Sequence, residues 1–322
     1  MKLQQLRYVV EIVRHNHHLS AAAEALNTSQ PGVSKQVKLL EEELSLDIFV
    51  RTRNRILGLT ESGEYVFEVA NRVINSIDAL HALKEEMQNS GAGTLTIATT
   101  HTQARYVLPP VIKNFVSTYP NVQLVLKQGD PGGICDMVAQ GEADLAIGTD
   151  TAKISPELVR LPVYSRPRSV VARKGHPILE VEPLTLEAIA DYPIITYDPQ
   201  TSGSSWRYLE AFARAGLKTT VALTGIDADV CKVYIELGLG IGILTSVTID
   251  PNRDTDLVAR DARHLFEPST TYVTLRANAY LRNYVLNFIR MFAPAFTPST
   301  VKRAVQQGSG GIVESAQPAD PD

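Results

Sequence analysis

Leu3, Leu6, Val9, Val10 and Val13 recur at intervals of three and four residues, so the chain opens on an amphipathic helix. A second helix is expected from Ser20, a natural N-cap, through "AAAEAL", and a third in "SQPGVSKQVKLLEEEL". In the third, Ser29 is the predicted cap and Pro31 falls in the first turn, where a missing N–H costs nothing. Val33, Val37, Leu40 and Leu44 make its buried stripe, which leaves Gln30, Ser34, Lys35 and Lys38 pointing away from the core. "FVRTRNRILGL" reads as a hairpin, and on an extended strand Arg51, Arg53 and Arg55 would share one face. From Thr60, a further N-cap candidate, one helix is predicted to about Asn89. Along it Val66, Ala70, Val73, Ile77, Leu80 and Met87 keep a four-three spacing interrupted by Lys84, the pattern of a coiled-coil seam whose stripe needs a partner: a second copy of the chain is the economical answer, and the chain's own body is the alternative.

After the joint "NSGAGT" the period changes. Strand, helix and strand alternate through "TLTIAT", "LPPVIKNFVSTYP", "VQLVLKQG", "GGICDMVAQGE" and "DLAIGT", the βαβ pattern of an open, mainly parallel sheet. A second series runs from "RSVVARKGHPI" to "DADVCKVYIELGLGIGILT", and "TTYVTLRANAYLRNYVLNFIRMFAP" returns to the first lobe. "LGLGIGIL" lacks the G-x-G-x-x-G spacing of a nucleotide loop and reads as a helix C-cap entering a buried strand. The expected organisation is α/β with an all-α winged helix-turn-helix at the N-terminus. Its parts are a head over 1–60, a linker helix over 61–90, a two-lobed body over 91–304, and a disordered tail over 305–322. Lobe I takes about 91–163 plus 268–304, and lobe II about 164–267.

Composition narrows the class. With 44% hydrophobic residues the chain can fill ordinary cores. No apolar run reaches bilayer length, and the polar N-terminus does not resemble a signal peptide, so a cytoplasmic location with no membrane partner is expected. Cys135 and Cys231 give neither a disulfide framework nor metal-ligand spacing and read as small core residues. No cofactor or metal is expected. The "HNHH" run at His15–His18 falls in a turn and reads as solvated. Charge is uneven: the first 60 residues carry a net +2 and the remainder a net −6, a basic head on an acidic body.

Two short helices joined by a tight turn, with Ser29, Gln30, Ser34, Lys35 and Lys38 near the start of the second, match a recognition helix in the major groove of double-stranded DNA. Arg51, Arg53 and Arg55 suit a wing that meets phosphates or the minor groove. "AAAEALNTSQPGVSKQVKLLEEELSLDIFVRT" followed by "LTESGEYV" resembles the DNA-binding domain of LysR-type transcriptional regulators. That resemblance implies a dimerising linker helix, a homodimer that assembles into a tetramer, and a two-lobed effector domain of periplasmic-binding-protein type. It places Pro31 with the residues that approach promoter DNA.

In open α/β sheets a ligand lies beyond the carboxyl ends of the strands, where helix starts point free N–H groups into a crevice. "LTIATTHTQARYV" is such a place: Thr100, Thr102 and Gln103 follow a strand, Thr149 ends another, and "TSGSSW" offers Thr201, Ser202, Ser204 and Ser205 in the second lobe. Two donor-rich helix starts across a cleft suit a small anion or zwitterion held by hydrogen bonds without a formal counter-charge. "TIATTHTQARYVLP", "GEADLAIGT", "DADVCKVYIELGLGIGIL" and "LRNYVLNFIRMFAP" resemble the CysB-like subgroup of the LysR-type regulators, which governs sulfur assimilation. The resemblance implies that Thr100, Thr102, Gln103, Thr149 and Ser202 bind sulfate or a related effector: an acetylated serine, thiosulfate or a sulfonate. This chain departs from the subgroup pattern at Ser202 and Ser204, where a Thr and an Arg are expected; His176 in "KGHPI" belongs to the pattern and is assigned to the fold. The rival classes are an enzyme, a solute-binding sensor, or a LysR-type regulator of an unrelated catabolic operon. An enzyme is disfavoured because none of the seven histidines shows catalytic spacing with Cys, Asp or Glu.

Overall fold

The structure is a computed structural model, described over residues 1–52, 55–88, 91–151, 154–198 and 205–308. It divides into two compact units, Met1–Ser90 and Gly91–Asp322.

The first unit holds α1 (Leu3–Arg14), α2 (Leu19–Ala25), α3 (Gln30–Leu44), the ribbon β1 (Phe49–Thr52) and β2 (Arg55–Leu59), and α4 (Glu61–Gln88). Its core joins Val9, Val10 and Ile12 of α1 to Ala22, Val33, Val37, Leu40 and Ile48, all fully buried. Leu44, expected in the stripe, is exposed at the last turn of α3. Ser29 caps α3, accepting from the N–H of Gly32 at 3.3 Å, with Pro31 in the first turn as predicted. Ser20 does not cap α2. The cap position falls two residues earlier, at His18, and the Ser20 hydroxyl donates instead to Oε1 of Gln30 at 3.1 Å. Asn16 and His17 make the preceding turn with positive φ, so the "HNHH" run is a backbone device that bends the chain between helices.

The stripe on α4 divides. Thr60 caps the helix, accepting from the N–H of Gly63 at 2.9 Å. Ala70 and Ile74 are buried with Val66 and Phe67 against the core of the same head, whereas Leu80 and Met87 are 66% and 81% exposed. The seam expected along the whole helix is therefore spent on the chain's own head in its first half.

The second unit contains two five-stranded sheets. The first, ordered β4-β3-β5-β12-β6, is built from β3 (Gly93–Thr99), β4 (Val122–Gln128), β5 (Leu145–Thr149), β6 (Leu158–Arg166) and β12 (Ser269–Arg276). A π-helical turn, Gln103–Val107, leads from β3 into α5 (Leu108–Thr118), and α6 (Pro131–Ala139) joins β4 to β5. The second sheet, ordered β11-β7-β10-β8-β9, is built from β7 (Arg168–Arg173), β8 (Ile194–Tyr197), β9 (Val221–Gly225), β10 (Ile241–Thr245) and β11 (Leu257–Asp261). It carries α7 (Leu186–Ala190), α8 (Ser205–Arg214) and α9 (Ala228–Glu236); α10 (Asn283–Phe292) and α11 (Pro298–Gln307) follow β12.

The sheets are mixed where mainly parallel ones were expected: each pairs two neighbours parallel and two antiparallel. The reason is the passage between lobes. β6 leaves the first sheet toward the second lobe and β12 comes back from it, so the two must run against each other. The passage falls at Pro167, between β6 and β7, rather than at residue 163. The body also reaches past Ala304, because Val305 is buried in α11, which continues to Gln307. "LGLGIGIL" behaves as read: Gly238, at φ +79°, ends α9, and a side chain at Gly240 would meet the carbonyl oxygen of Pro193 at 2.3 Å. Cys135 and Cys231 are free and buried, and burial pushes the Cys231 thiol up to about 12.

Candidate functional site

In the head, Ser29, Gln30, Pro31, Lys35 and Lys38 are exposed at the start and along the outer face of α3, with Ser34 half-buried among them. Lys38 lies 4.0 Å from Glu42 on the same face, a solvated pair that leaves it available to phosphate. The arginines do not form one row. β1 and β2 pair antiparallel with Thr52 opposite Arg55 and Arg51 opposite Ile56, so Arg51 and Arg55 stand on opposite faces of the ribbon. Arg53 lies outside the described residues. Arg51 is also committed: its guanidinium meets Oε2 of buried Glu41 at 2.8 Å, while Oε1 accepts from the N–H groups of Ile48 and Phe49 at 3.0 and 3.2 Å. One carboxylate thus fastens α3 to the wing, and Arg55 is exposed on the ribbon.

In the body, a cavity of about 370 Å³ opens between the lobes. Lobe I brings Thr100, His101, Thr102, Gln103, Thr149 and Thr271 to it, and lobe II brings Arg168, Tyr197, Ile226, Asp227, Thr245 and Val247. Four of the six expected effector residues therefore converge on one space; Thr201 and Ser202, with Ser204, lie outside the described residues. Gln103 is not a free donor. It is buried, its Nε2 donates to Oγ1 of Thr271 at 3.0 Å, and its Oε1 accepts from the Tyr164 hydroxyl at 2.6 Å. Burial pushes the Tyr164 phenol up, so it keeps its proton and holds the amide in place. Thr100, Thr102 and Thr149 remain as lobe I hydroxyls toward the cavity.

The expectation of no counter-charge is corrected by Arg166 and Arg168, which flank Pro167 and both line the cavity. Arg166 lies 5.2 Å over the ring of Tyr164, and its buried Nε has no hydrogen-bond partner among the described residues. Arg168 is buried, 5.4 Å from the ring centre of Tyr208. The carboxylates that border the cavity are engaged: Asp130 accepts from the N–H groups of Gly132 and Gly133, and Asp227 from that of Val230 at 2.9 Å. The walls thus bring two guanidiniums and several hydroxyls beside two carboxylates that accept backbone N–H groups.

Beside the cavity Asp229 of α9 collects donors from both lobes. From lobe I its carboxylate meets His101 Nε2 and Tyr106 Oη at 2.6 Å and Arg105 Nε at 3.0 Å; from lobe II it meets Lys232 Nζ at 3.2 Å. Burial alone would raise the Asp229 carboxyl, but the hydrogen bonds from Tyr106, His101 and Lys232 prevail and hold it at about 2. Lys232 is buried and bound bidentately by Asp254 at 2.9 and 3.0 Å. Desolvation works against its charge, yet its bonds to Tyr106, Asp254 and Asp229 push its pKa up. His101, Asp227 and Asp229 could each offer one ligand atom to a metal, all within 4.8 Å of one another. The cations already on Asp229 oppose such an ion.

Residues 3–64 match the family of bacterial regulatory helix-turn-helix proteins of the lysR type, and residues 88–297 match the LysR substrate binding domain. The chain belongs to the LysR family. It is 50% identical over 294 residues to the HTH-type transcriptional regulator SsuR of Burkholderia cenocepacia, across 91% of this chain and 95% of SsuR. It is 43% identical to the regulator CysB of Haemophilus influenzae across 94% of each chain. The crystal structure of the cofactor-binding domain of the Cbl transcriptional regulator is 40% identical and superposes with a TM-score of 0.64, covering 67% of this chain and 95% of that domain. A full-length OxyR variant from Pseudomonas aeruginosa, at 20% identity and a TM-score of 0.69, covers 98% of this chain and 99% of its own and shares the fold.

The LysR family and the CysB-like subgroup, read from motifs in the head and body, are thereby borne out, and the protein is a DNA-binding transcriptional regulator with an effector-binding domain. The relatives are named as regulators. No described helix is long and apolar enough to cross a membrane. Residue reasoning missed Arg166 and Arg168, although "SRPR" at a strand junction was a usable signal: Pro167 breaks the strand and aims its flanking side chains at the passage between lobes. It also missed the Asp229 cluster, whose members lie more than 120 residues from His101 and Tyr106. His176 serves the fold as read, with Nδ1 accepting from the N–H of Ile178 at 3.2 Å and its ring 4.7 Å from that of Tyr192.

Proposed function

We propose that this LysR-family regulator controls genes of sulfur assimilation or organosulfur use in the cytoplasm, and that a small anion or zwitterion in the inter-lobe cleft gates its hold on promoter DNA. The observation that carries the reading is the meeting of Arg166 and Arg168 with the hydroxyls of Thr100, Thr102 and Thr149 around one cavity. A guanidinium pairs bidentately with two oxygens of an oxyanion, and hydroxyls supply the remaining donors. Sulfate, thiosulfate, O-acetylserine and alkanesulfonates share that need. The kinship to SsuR, CysB and Cbl supports sulfur as the element concerned.

On DNA, Gln30, Ser34 and Lys35 meet base edges, Ser29 and Lys38 position the helix on phosphates, and Arg53 and Arg55 of the wing meet the backbone or minor groove. The exposed end of α4, with Leu80, Leu83 and Met87, supplies the homodimer contact, and pairs of dimers make a tetramer on an imperfect palindrome. Effector and DNA are coupled reciprocally, by about 1 to 3 kcal/mol, which corresponds to roughly 5- to 150-fold in affinity. Retention of the protein's own upstream DNA, measured at fixed salt with each of the four compounds, tests this. A shift by one of them is expected; retention that none of them changes, together with calorimetric silence toward all four, overturns the assigned effector class.

A further inference from the structure

The same short segment that presents Thr102 and Gln103 to the cavity also presents His101, Arg105 and Tyr106 to the other lobe, and all three converge on Asp229. The segment includes a π-helical turn, Gln103–Val107, and π-turns, which add a residue to the helical circuit, are frequent at functional positions. Behind Asp229 the support is rigid. Lys232 reaches the Tyr106 hydroxyl at 2.7 Å, the Thr248 carbonyl at 3.0 Å and both oxygens of Asp254, which in turn accepts from the N–H of Asp250 at 2.8 Å. Tyr106 donates to Asp229 while accepting from Lys232, so its hydroxyl closes a three-membered ring across the lobe boundary.

We infer that Asp229 is a latch, a positioning residue that holds the two lobes together beside the cleft and so fixes how much of the chain is competent to bind effector. The inference rests on the cleft being the effector site, and it concerns how that site is gated. Geometry gives its direction. The latch joins lobe I to lobe II through charge-assisted bonds in a half-buried setting, where such bonds are stronger than in open solvent. Releasing it lets the lobes part, and an open cleft no longer offers Thr102 and Arg168 to one ligand. Apparent affinity then falls in proportion to the fraction still closed. Asp229→Asn keeps the side-chain shape and an acceptor while removing the charge that Arg105 and Lys232 answer. Tyr106→Phe removes a single hydroxyl and leaves the charges in place.

The test uses the full chain, with spin labels on cysteines introduced at Lys113 of α5 and Arg214 of α8, both exposed and in different lobes. Inter-label distances are read with no ligand and with sulfate, thiosulfate or an alkanesulfonate. Asp229→Asn is expected to lengthen and broaden the ligand-free distribution and to weaken the anion that binds by about tenfold. Tyr106→Phe is expected to do the same to a smaller degree. Distributions unchanged in both variants, with wild-type circular dichroism and melting, would overturn the latch. A lengthened distribution with no anion bound even by the wild type would keep the latch and instead remove the proposed effector class.

Discussion

The head and the cleft hold their chemistry in opposite ways. In the head, the residues proposed to meet DNA come from one stretch of about thirty residues between Ser29 and Arg55, and a single buried carboxylate, Glu41, ties helix to wing. In the cleft, Thr100, Thr149, the Arg166–Arg168 pair and Asp227 come from four separated segments and two sheets. A local site is set by one helix and its cap and has little to give when a partner arrives. A site assembled across a lobe boundary can open and close, and that is what a ligand-gated regulator requires.

The sharpest break of this contrast is at Glu41. Replacing it with Ala strands two buried N–H donors and releases Arg51, at a cost of roughly 3 kcal/mol to the head. Urea unfolding should show an early head transition, with promoter binding lost while anion binding by the body persists. Loss of both together would mean the two units are not separable in this way. Next in size, Arg168→Ala should weaken the bound anion by about 1.5 to 3 kcal/mol, roughly 10- to 150-fold, by titration calorimetry. The same affinity in the variant would remove the guanidinium from the site.

A pH experiment sharpens the cleft side. Asp229 sits at about 2 when folded against an ordinary 3.8, so its contribution is fully present above pH 4 and is lost as pH falls from there toward 2. After allowance for its partial exposure this amounts to about 1 kcal/mol. Acid unfolding curves of wild type and Asp229→Asn should converge across that window and stay parallel above it. The smallest expected effect is Thr102→Ala, which removes one neutral hydroxyl and should weaken the effector by about 0.5 to 1.5 kcal/mol without abolishing promoter retention.

Legibility in the sequence follows the same division. The cap at Ser29, the proline of the first turn and the stripe of Val33, Val37 and Leu40 all depend on neighbours within a few residues, and each was readable. Ser20 misled because a hydroxyl before an alanine run is the pattern of a cap, while the structure uses it on Gln30. The α4 stripe was seen, yet periodicity cannot say which partner covers it, and the first half proved to be covered by the chain's own α1. The βαβ alternation was plain, but strand direction depends on where the chain crosses between lobes, which Pro167 and the β12 return decide. The threonines of the cleft could be found because they stand at strand ends. The Arg166 and Arg168 charges and the Asp229 cluster could not be placed from spacing alone, since topology brings them together.

The gating role of the charged cleft is tested by a promoter-DNA titration of wild type and the Arg166→Ala/Arg168→Ala variant, at one salt concentration, with and without the sulfur oxyanions. An anion-dependent shift is expected in the wild type and is lost in the variant. A shift of equal size in both proteins would contradict a charged cleft as the seat of gating.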